Sequence, residues 1–308
     1  MTPTSIQSPG FTLAIIGCGK LGVAVIQGIL EPRRHRDIEA PQHNSRTLEL
    51  VIASVRTREK SELLSEKFLV HLQDKACPLE LVVGNNIDAA RRADVIVLTC
   101  HPHQASEILG AQGMPEALAG KLLVSMLGGV SVAALEEAIY VTPGRAPPGQ
   151  HPCHIVQAIA NAAAARKRSI TVVADKSTGM PDEDLELAMD VLGRIGDIAF
   201  VTVDQMPAAT ALCASGTAFF AWFLEAVIEG AVADGIDRTE ASRMAALTMA
   251  GAAELVVSGE DAATVRAKVT SPGGVTAVGL AVMEQSKAKA TVIKALRTTA
   301  SRLGSKSR

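Results

Sequence analysis

The chain has 308 residues, 48 % of them apolar and 20 % charged, and its net charge is −2. That balance fits a folded globular protein of one large domain or two, excludes a disordered chain, and leaves no basic surplus for nucleic acid. Each apolar stretch is interrupted by Gly, Ser, Asp or Lys before it reaches membrane-spanning length, and the first ten residues carry no secretory pattern. Cys18, Cys77, Cys100, Cys153 and Cys213 are odd in number and scattered, which reads as reduced thiols in a cytoplasmic protein. With only eight aromatics, most of the core is built from Ala, Val, Leu and Ile.

Residues 12–16 form a short apolar run ending at glycine, as a buried parallel strand does, and a helix follows from Gly22. A polar connection at 31–47 contains Pro32 and Pro41. A second strand is expected at 49–55, then a helix through about Phe68. A third strand begins near Glu80, a short helix lies at 88–93, and strands four and five fall within 93–100 and 121–129. A helix runs from Val132 to Ile139, and residues 141–153 form a Pro- and Gly-rich loop. Strands alternating with helices up to Ile139 argue for a parallel, doubly wound sheet; two β-like runs (155–159 and 169–174), a helix at 182–193 and a strand at 197–203 follow. Residues 207–235, 239–257, 261–268 and 287–303 read as Ala-rich helices, with Gly235 as a stop and Asp237 and Thr239 as start signals. The expected layout is a disordered tail at 1–10, a dinucleotide-binding domain at 11–203 and an all-helical domain at 204–308. The aromatic cluster Phe219, Phe220, Trp222 and Phe223 marks a buried helix face or a dimer seam.

Gly17-Cys18-Gly19-Lys20-Leu21-Gly22 is a GxGxxG turn between strand and helix. Glycines there allow a tight turn, close approach of a pyrophosphate and close strand–helix packing, and the helix dipole favours the anion. The alternative is a turn that serves packing alone. NAD-preferring folds end their second strand with an acid. Here the strand ends in Ser54-Val55-Arg56-Thr57-Arg58-Glu59-Lys60. Arg56 suits a 2′-phosphate, with Ser54 and Thr57 as further donors, so NADPH is favoured over NADH. The alternative is a solvated, charged helix start, with Arg58 and Lys60 facing water. Residues 269–276, VTSPGGVT, combine a helix-start signal with two open glycines and a hydroxyl at Thr276, a receptor for a small carboxylate or simply a capped helix.

From residue 12 to about 303 the chain resembles the pyrroline-5-carboxylate reductases. The similarity is carried by AIIGCGKLG, ADVIVLTCHP, KLLVSMLGGVSVAALE and VTSPGGVTAVGLAVMEQ, and by the helix pair in DQMPAATALCASGTAFFAWFLEAVIEGAVADGIDR. The resemblance implies an N-terminal Rossmann-type doubly wound sheet followed by an all-α dimerisation domain. It implies a homodimer or higher homo-oligomer that reduces a small cyclic imine, 1-pyrroline-5-carboxylate, to L-proline with NADPH. By matching positions, Gly17, Cys18, Gly19, Lys20, Leu21 and Gly22 become the phosphate loop, and Ser54, Arg56 and Thr57 the 2′-phosphate end. Asn86 becomes an adenosine-side contact, and Thr99, Cys100, His101, Pro102, Ser125, Met126 and Leu127 line the nicotinamide half. Gly274, Val275 and Thr276 become the substrate carboxylate site, with Thr276 near the imine nitrogen; Ser215, Thr217 and Lys268 complete the substrate set.

Several positions depart from the family pattern. His101 stands for a lysine, Pro207 for an acid and Lys268 for an asparagine. Ala160-Asn161-Ala162 keeps only the asparagine of Met-Pro-Asn-Thr-Pro, and Thr217 replaces a proline. These changes leave open a reductase of a larger or specialised cyclic imine, and a non-catalytic NADP-binding assembly module. The chemistry requires two rings held at near-attack distance rather than a strong base. His101 is read as a cofactor contact in place of lysine, or as a proton donor. His101, His103, His151, Cys153 and His154 lack metal-ligand spacing, so no metal is expected.

Overall fold

The computed structural model describes residues 10–32, 46–75, 77–140, 151–175 and 180–304. The expected tail through residue 9, most of the connection at 31–47, loop positions 141–150 and the terminal 305–308 lie outside the described residues. Two compact units emerge: the chain up to Ala214 together with that from Ala300 onward, and Ser215–Thr299. The border expected at 203/204 falls at the start of the helical run that contains the observed one.

In the first unit, β1 (Phe11–Ile16) leads through the glycine turn into α1 (Lys20–Leu30), and β2 (Leu48–Val55) into α2 (Arg58–Lys67) and α3 (Leu69–Leu72). Next come β3 (Leu79–Val83), α4 (Asn86–Arg92), β4 (Val95–Leu98), α5 (Ala105–Leu109), α6 (Met114–Leu118) and β5 (Leu122–Ser125). Helix α7 (Val132–Ile139), β6 (His154–Ile159), β7 (Ser169–Ala174), α8 (Asp182–Gly193), β8 (Gly196–Val201) and α9 (Met206–Thr210) follow. The eight strands lie in the order β3-β2-β1-β4-β5-β6-β7-β8. The winding reverses between β1 and β4, which opens a crevice at the carboxyl ends of these strands.

Both faces of the sheet are covered. Leu13 and Ile15 of β1 join one buried cluster with Val25 and Ile26 of α1 and Val191 of α8. Ala14 and Ile16 join the opposite cluster with Ala89 of α4, Leu109 of α5 and Leu135 of α7. Two-residue alternation with both sets apolar is the pattern of a strand buried on both sides. One pairing departs from the parallel pattern: β7 runs antiparallel to β6, through Ala158↔Val173 and Ile159↔Val172. The intervening chain holds only a 3₁₀ turn, Ala162–Arg166, and a parallel return needs a crossover of a dozen residues or more.

The second unit is helical, with α10 (Gly216–Ala233), α11 (Arg238–Val257), α12 (Ala262–Lys268), α13 (Val275–Gln285) and most of α14 (Ala288–Gly304). Asp237 and Asp261 start α11 and α12, each carboxylate accepting from two backbone N–H groups. Gly235, at φ 93°, lets the chain turn out of α10. Only Gly216 and Ala241 of this unit are buried. Phe220 and Trp222 are 59 % and 66 % exposed, so the aromatic cluster is not a buried face of the single chain.

One correction concerns apolar length. The continuous run Val203–Ala233, 31 residues of mean hydropathy 1.7 in its most apolar window, is long and apolar enough to cross a membrane by length and composition. Gly216 and Ser215, read in the sequence as interruptions, are carried inside one helical run and do little to a hydropathy average.

Candidate active site

At the carboxyl ends of β1, β2, β4 and β5 the first unit holds a cleft of about 910 Å³. The glycine turn forms its floor: Gly17, Cys18, Gly19, Lys20 and Leu21 all line it. The three glycines of the motif have different reasons to be glycine. Gly17 sits at φ 88°, and a Cβ there would lie 2.5 Å from the Cys100 backbone nitrogen. A Cβ on Gly22 would lie 2.6 Å from Thr99 Oγ1, so Gly22 is a packing residue behind the cleft and does not line it. Gly19 sits at φ −76°, and a Cβ there would meet nothing nearer than the Gly17 carbonyl oxygen at 3.9 Å. The protein itself therefore has no use for a glycine at 19; a ligand approaching its backbone does. Helix α1 also begins with no side-chain cap and no acid in its first turn, which leaves its positive end to an anion.

The Thr99 side chain holds this turn in place, donating from Oγ1 to the Gly17 carbonyl at 2.8 Å. Burial pushes the Cys18 thiol up to about 12, against a smaller pull from the Lys60 ammonium. Its Sγ donates to the Ile15 carbonyl at 3.4 Å. It is a neutral filler of the turn rather than a reactive thiolate.

Ser54, Arg56 and Thr57 line the end of the cleft next to β2, with Asn86. Two of them have local duties. Ser54 is buried, and its hydroxyl donates to Asn86 Oδ1 at 2.7 Å. Thr57 caps α2 by accepting from the Lys60 N–H at 3.3 Å. Arg56 and Lys60 supply the positive charge of this wall. Cations at the start of a helix stand against its dipole, an arrangement that a bound phosphate would relieve.

Thr99, Cys100, His101 and Pro102 line the other half, with Met126 and Leu127. His101 is exposed at the rim; its backbone N–H donates to Gln104 Oε1 at 3.2 Å and its ring stacks on His103 at 5.6 Å. Ser125 is fully buried, has no hydrogen-bond partner for its hydroxyl among the described residues, and does not line the cleft.

The substrate candidates belong to the second unit. Ser215 ends a π-helical turn, and Thr217 is exposed on the first turn of α10. The Lys268 ammonium pairs with Glu260 Oε2 at 2.7 Å, so its charge is already matched. Gly274 precedes α13, which begins without a side-chain cap, and Val275 is 90 % exposed beside the exposed Thr276. Among the described residues, no group of three His, Cys, Asp or Glu is placed to hold a metal. His154 Nδ1 is instead engaged by the Asp184 carboxylate.

A family model described as pyrroline-5-carboxylate reductase dimerisation matches residues 204–305, and one described as NADP oxidoreductase, coenzyme F420-dependent, matches 12–129. The chain is 51 % identical over 295 residues to pyrroline-5-carboxylate reductase ucsG of an Acremonium species, covering 96 % of this chain and 93 % of the relative. This chain belongs to the pyrroline-5-carboxylate reductase family. A second pyrroline-5-carboxylate reductase, from Lophium arboricola, is 40 % identical over 311 residues, with 99 % and 97 % coverage. The crystal structure of a Plasmodium falciparum pyrroline carboxylate reductase with NADP bound shares the fold, with TM-score 0.75, 22 % identity and coverage of 97 % and 98 %.

For this member of the pyrroline-5-carboxylate reductase family, sequence reasoning missed several cleft residues: Val55, Lys60, Gly84, Gln104, Glu107, Ile108 and Gly128. Lys60 had a readable signal. It occupies the third helical position after the Thr57 cap, where Glu or Gln would complete a capping box. Gln104, Glu107 and Ile108 lie on the short turn and helix after Pro102, a segment with too few residues to show a period.

Proposed function

We propose that this chain reduces a cyclic imine carboxylate with NADPH, 1-pyrroline-5-carboxylate to L-proline being the reaction. The observation that carries the reading is Gly19, a glycine required by no neighbour in the protein at the floor of a dinucleotide-sized cleft. The residues fit NADP: an uncapped helix start for the pyrophosphate, and Arg56 with Lys60 for the 2′-phosphate. NADPH, when bound, supplies the hydride that the imine carbon accepts.

The rest falls to the chain. The N–H groups at the start of α13 hold the substrate carboxylate, and the Thr276 hydroxyl hydrogen-bonds the ring nitrogen, which takes its proton from water as hydride adds to the imine carbon and the C=N bond is reduced. Leu127 and Met126 give the reacting rings an apolar wall and exclude water. His101 acts as a rim contact, its backbone tied to Gln104. Two copies pair through the exposed apolar faces of α10 to α14, in agreement with the dimerisation family matched over 204–305. All five cysteines are thiols, which supports a reducing, cytoplasmic setting. A reductase of a larger ring is the second reading, favoured by the exposed position of Thr217 where the family has a proline.

The test is NADPH consumption with a panel of five- and six-membered cyclic imine carboxylates. Turnover led by pyrroline-5-carboxylate supports the proposal, and turnover confined to larger rings supports the second reading. NADPH binding without turnover of any imine overturns both.

A further inference from the structure

The helical run that joins the two units is not a regular α-helix. Between α9 and α10, residues Ala211–Ser215 form a π turn, and the border between the compact units falls inside it. A π turn widens the backbone ladder and recurs at functional positions in helices. On its incoming side the chain is anchored, because Met206 packs with Ile159, Val172 and Ala174.

The turn is also held by a side chain. Asn161, buried just after β6, donates from Nδ2 to the Cys213 carbonyl at 2.9 Å. Its other amide end accepts from the Ala163 N–H at 2.9 Å, and its own N–H donates to Ser169 Oγ at 3.1 Å. Both ends of the amide are therefore committed, which fixes its orientation. Aspartate keeps the shape and the bond from Ala163 but offers no donor to Cys213. Asn161 does not line the cofactor cleft.

We infer that Asn161 is a positioning residue: it clamps the π turn through the Cys213 carbonyl and so sets the register in which Ser215 and Thr217 enter the substrate site. This rests on the imine-reductase reading above. The turn hands over to α10 three residues after Cys213, so a change of register there moves Ser215 and Thr217 directly and leaves the dinucleotide cleft alone.

The experiment compares wild type, Asn161→Asp and Ser169→Ala by NADPH titration, imine kinetics per NADPH-binding site, and hydrogen exchange. For Asn161→Asp, kcat/KM for pyrroline-5-carboxylate falls about tenfold, a loss the size of one buried hydrogen bond. NADPH affinity stays within about twofold. Exchange quickens at residues 211–217 and not in the sheet. If Asn161→Asp does not fold, Ser169→Ala, which releases only the Asn161 backbone, shows the same pattern more weakly. Imine kinetics equal to wild type in both variants overturn the inference, as does an equal loss of NADPH affinity. If wild type itself turns over no imine, the functional reading fails, while the exchange result still decides whether the clamp exists.

Discussion

The hydroxyl of Ser54 donates to the side-chain oxygen of Asn86 at 2.7 Å, which ties the end of β2 to the start of α4 across the cleft wall. With its oxygen so engaged, the Asn86 amide presents its NH₂ group as the remaining donor. Ser54 is therefore expected to act on NADPH binding through Asn86 rather than as a direct ligand. Ser54→Ala is expected to weaken NADPH binding about fivefold, the cost of one unmade hydrogen bond near 1 kcal/mol. Asn86→Ala has a larger effect. In the double variant the losses do not add, because Ser54 acts through Asn86; calorimetric titration of all four proteins reads this directly.

Arg56 and Lys60 stand at the positive end of α2 with Arg58, an arrangement that works against the helix. Their presence on the cleft wall makes sense if a dianion neutralises them. Replacing Arg56 or Lys60 by Ala is expected to raise the KM for NADPH by roughly 10- to 100-fold, the size of a lost charge-assisted bond of about 1.5–3 kcal/mol. The KM for NADH moves little. Parallel loss with both cofactors would show that these cations do not read the 2′-phosphate.

Two glycines of one motif give opposite expectations. Gly19→Ala meets no protein atom closer than 3.9 Å, so thermal stability stays unchanged while NADPH binding is lost. Gly22→Ala drives a methyl against Thr99 Oγ1 and the Gly17 carbonyl, and stability falls by about 1–3 kcal/mol, as overpacking does. Adding Thr99→Ala removes one of those contacts and restores part of the loss. Melting curves with and without NADPH separate the two cases.

These glycines also show how far the sequence could be read. GxGxxG located the cleft, but telling Gly19 from Gly22 required knowing that Thr99, far along the chain, stands over one and not the other. Helices at Val132–Ile139 and Asp182–Gly193 were legible because each is long enough to show a period and has a start signal. Helices α5 and α6, five residues each, are not. The direction of β7 depended on the length of its connection rather than on the composition of the strand. Lys60 joins the cleft beside residues from other strands, which the sequence around it does not show. Ser125, matched by its place in a motif, is turned into the core by strand alternation.

The buried Cys153 predicts a pH dependence. Burial, with a further push from Asp184, raises its thiol from an ordinary 9.0 to about 12. The folded chain thus favours the protonated thiol more strongly than the unfolded chain does. The stability this contributes is fully present below about pH 9 and is lost as pH rises toward about 12. In Cys153→Ala, the urea midpoint is lower at neutral pH by a small cavity cost, but it declines less between about pH 9 and about pH 11 than in wild type. The difference between the two slopes is the quantity to measure, with Tyr140→Phe as a common background because the Tyr140 hydroxyl accepts from the Cys153 N–H and also feels its thiol. Identical slopes would mean that water reaches the Cys153 thiol.

The apolar run Val203–Ala233 has two physical readings, and its charges decide between them. Glu225 and Glu229 lie on α10, and an acid at mid-bilayer costs several kcal/mol, Asp about 2.5–3.5 on an insertion scale. Against a second copy of the chain, both can sit at a solvated rim while Trp222 with Phe219 and Phe223, which share one side of α10, fill the centre, the aromatic-rich pattern of protein interfaces. Trp222→Glu is therefore expected to shift the protein from dimer to monomer in light scattering, with dimer dissociation favoured at least about 30-fold, the size of a hot-spot loss of 2 kcal/mol or more. NADPH binding persists, because the cleft is complete within the first unit of one chain. Wild type should remain in the aqueous phase in vesicle flotation. Flotation that Trp222→Glu abolishes, with no change in mass, would assign the run to a membrane instead.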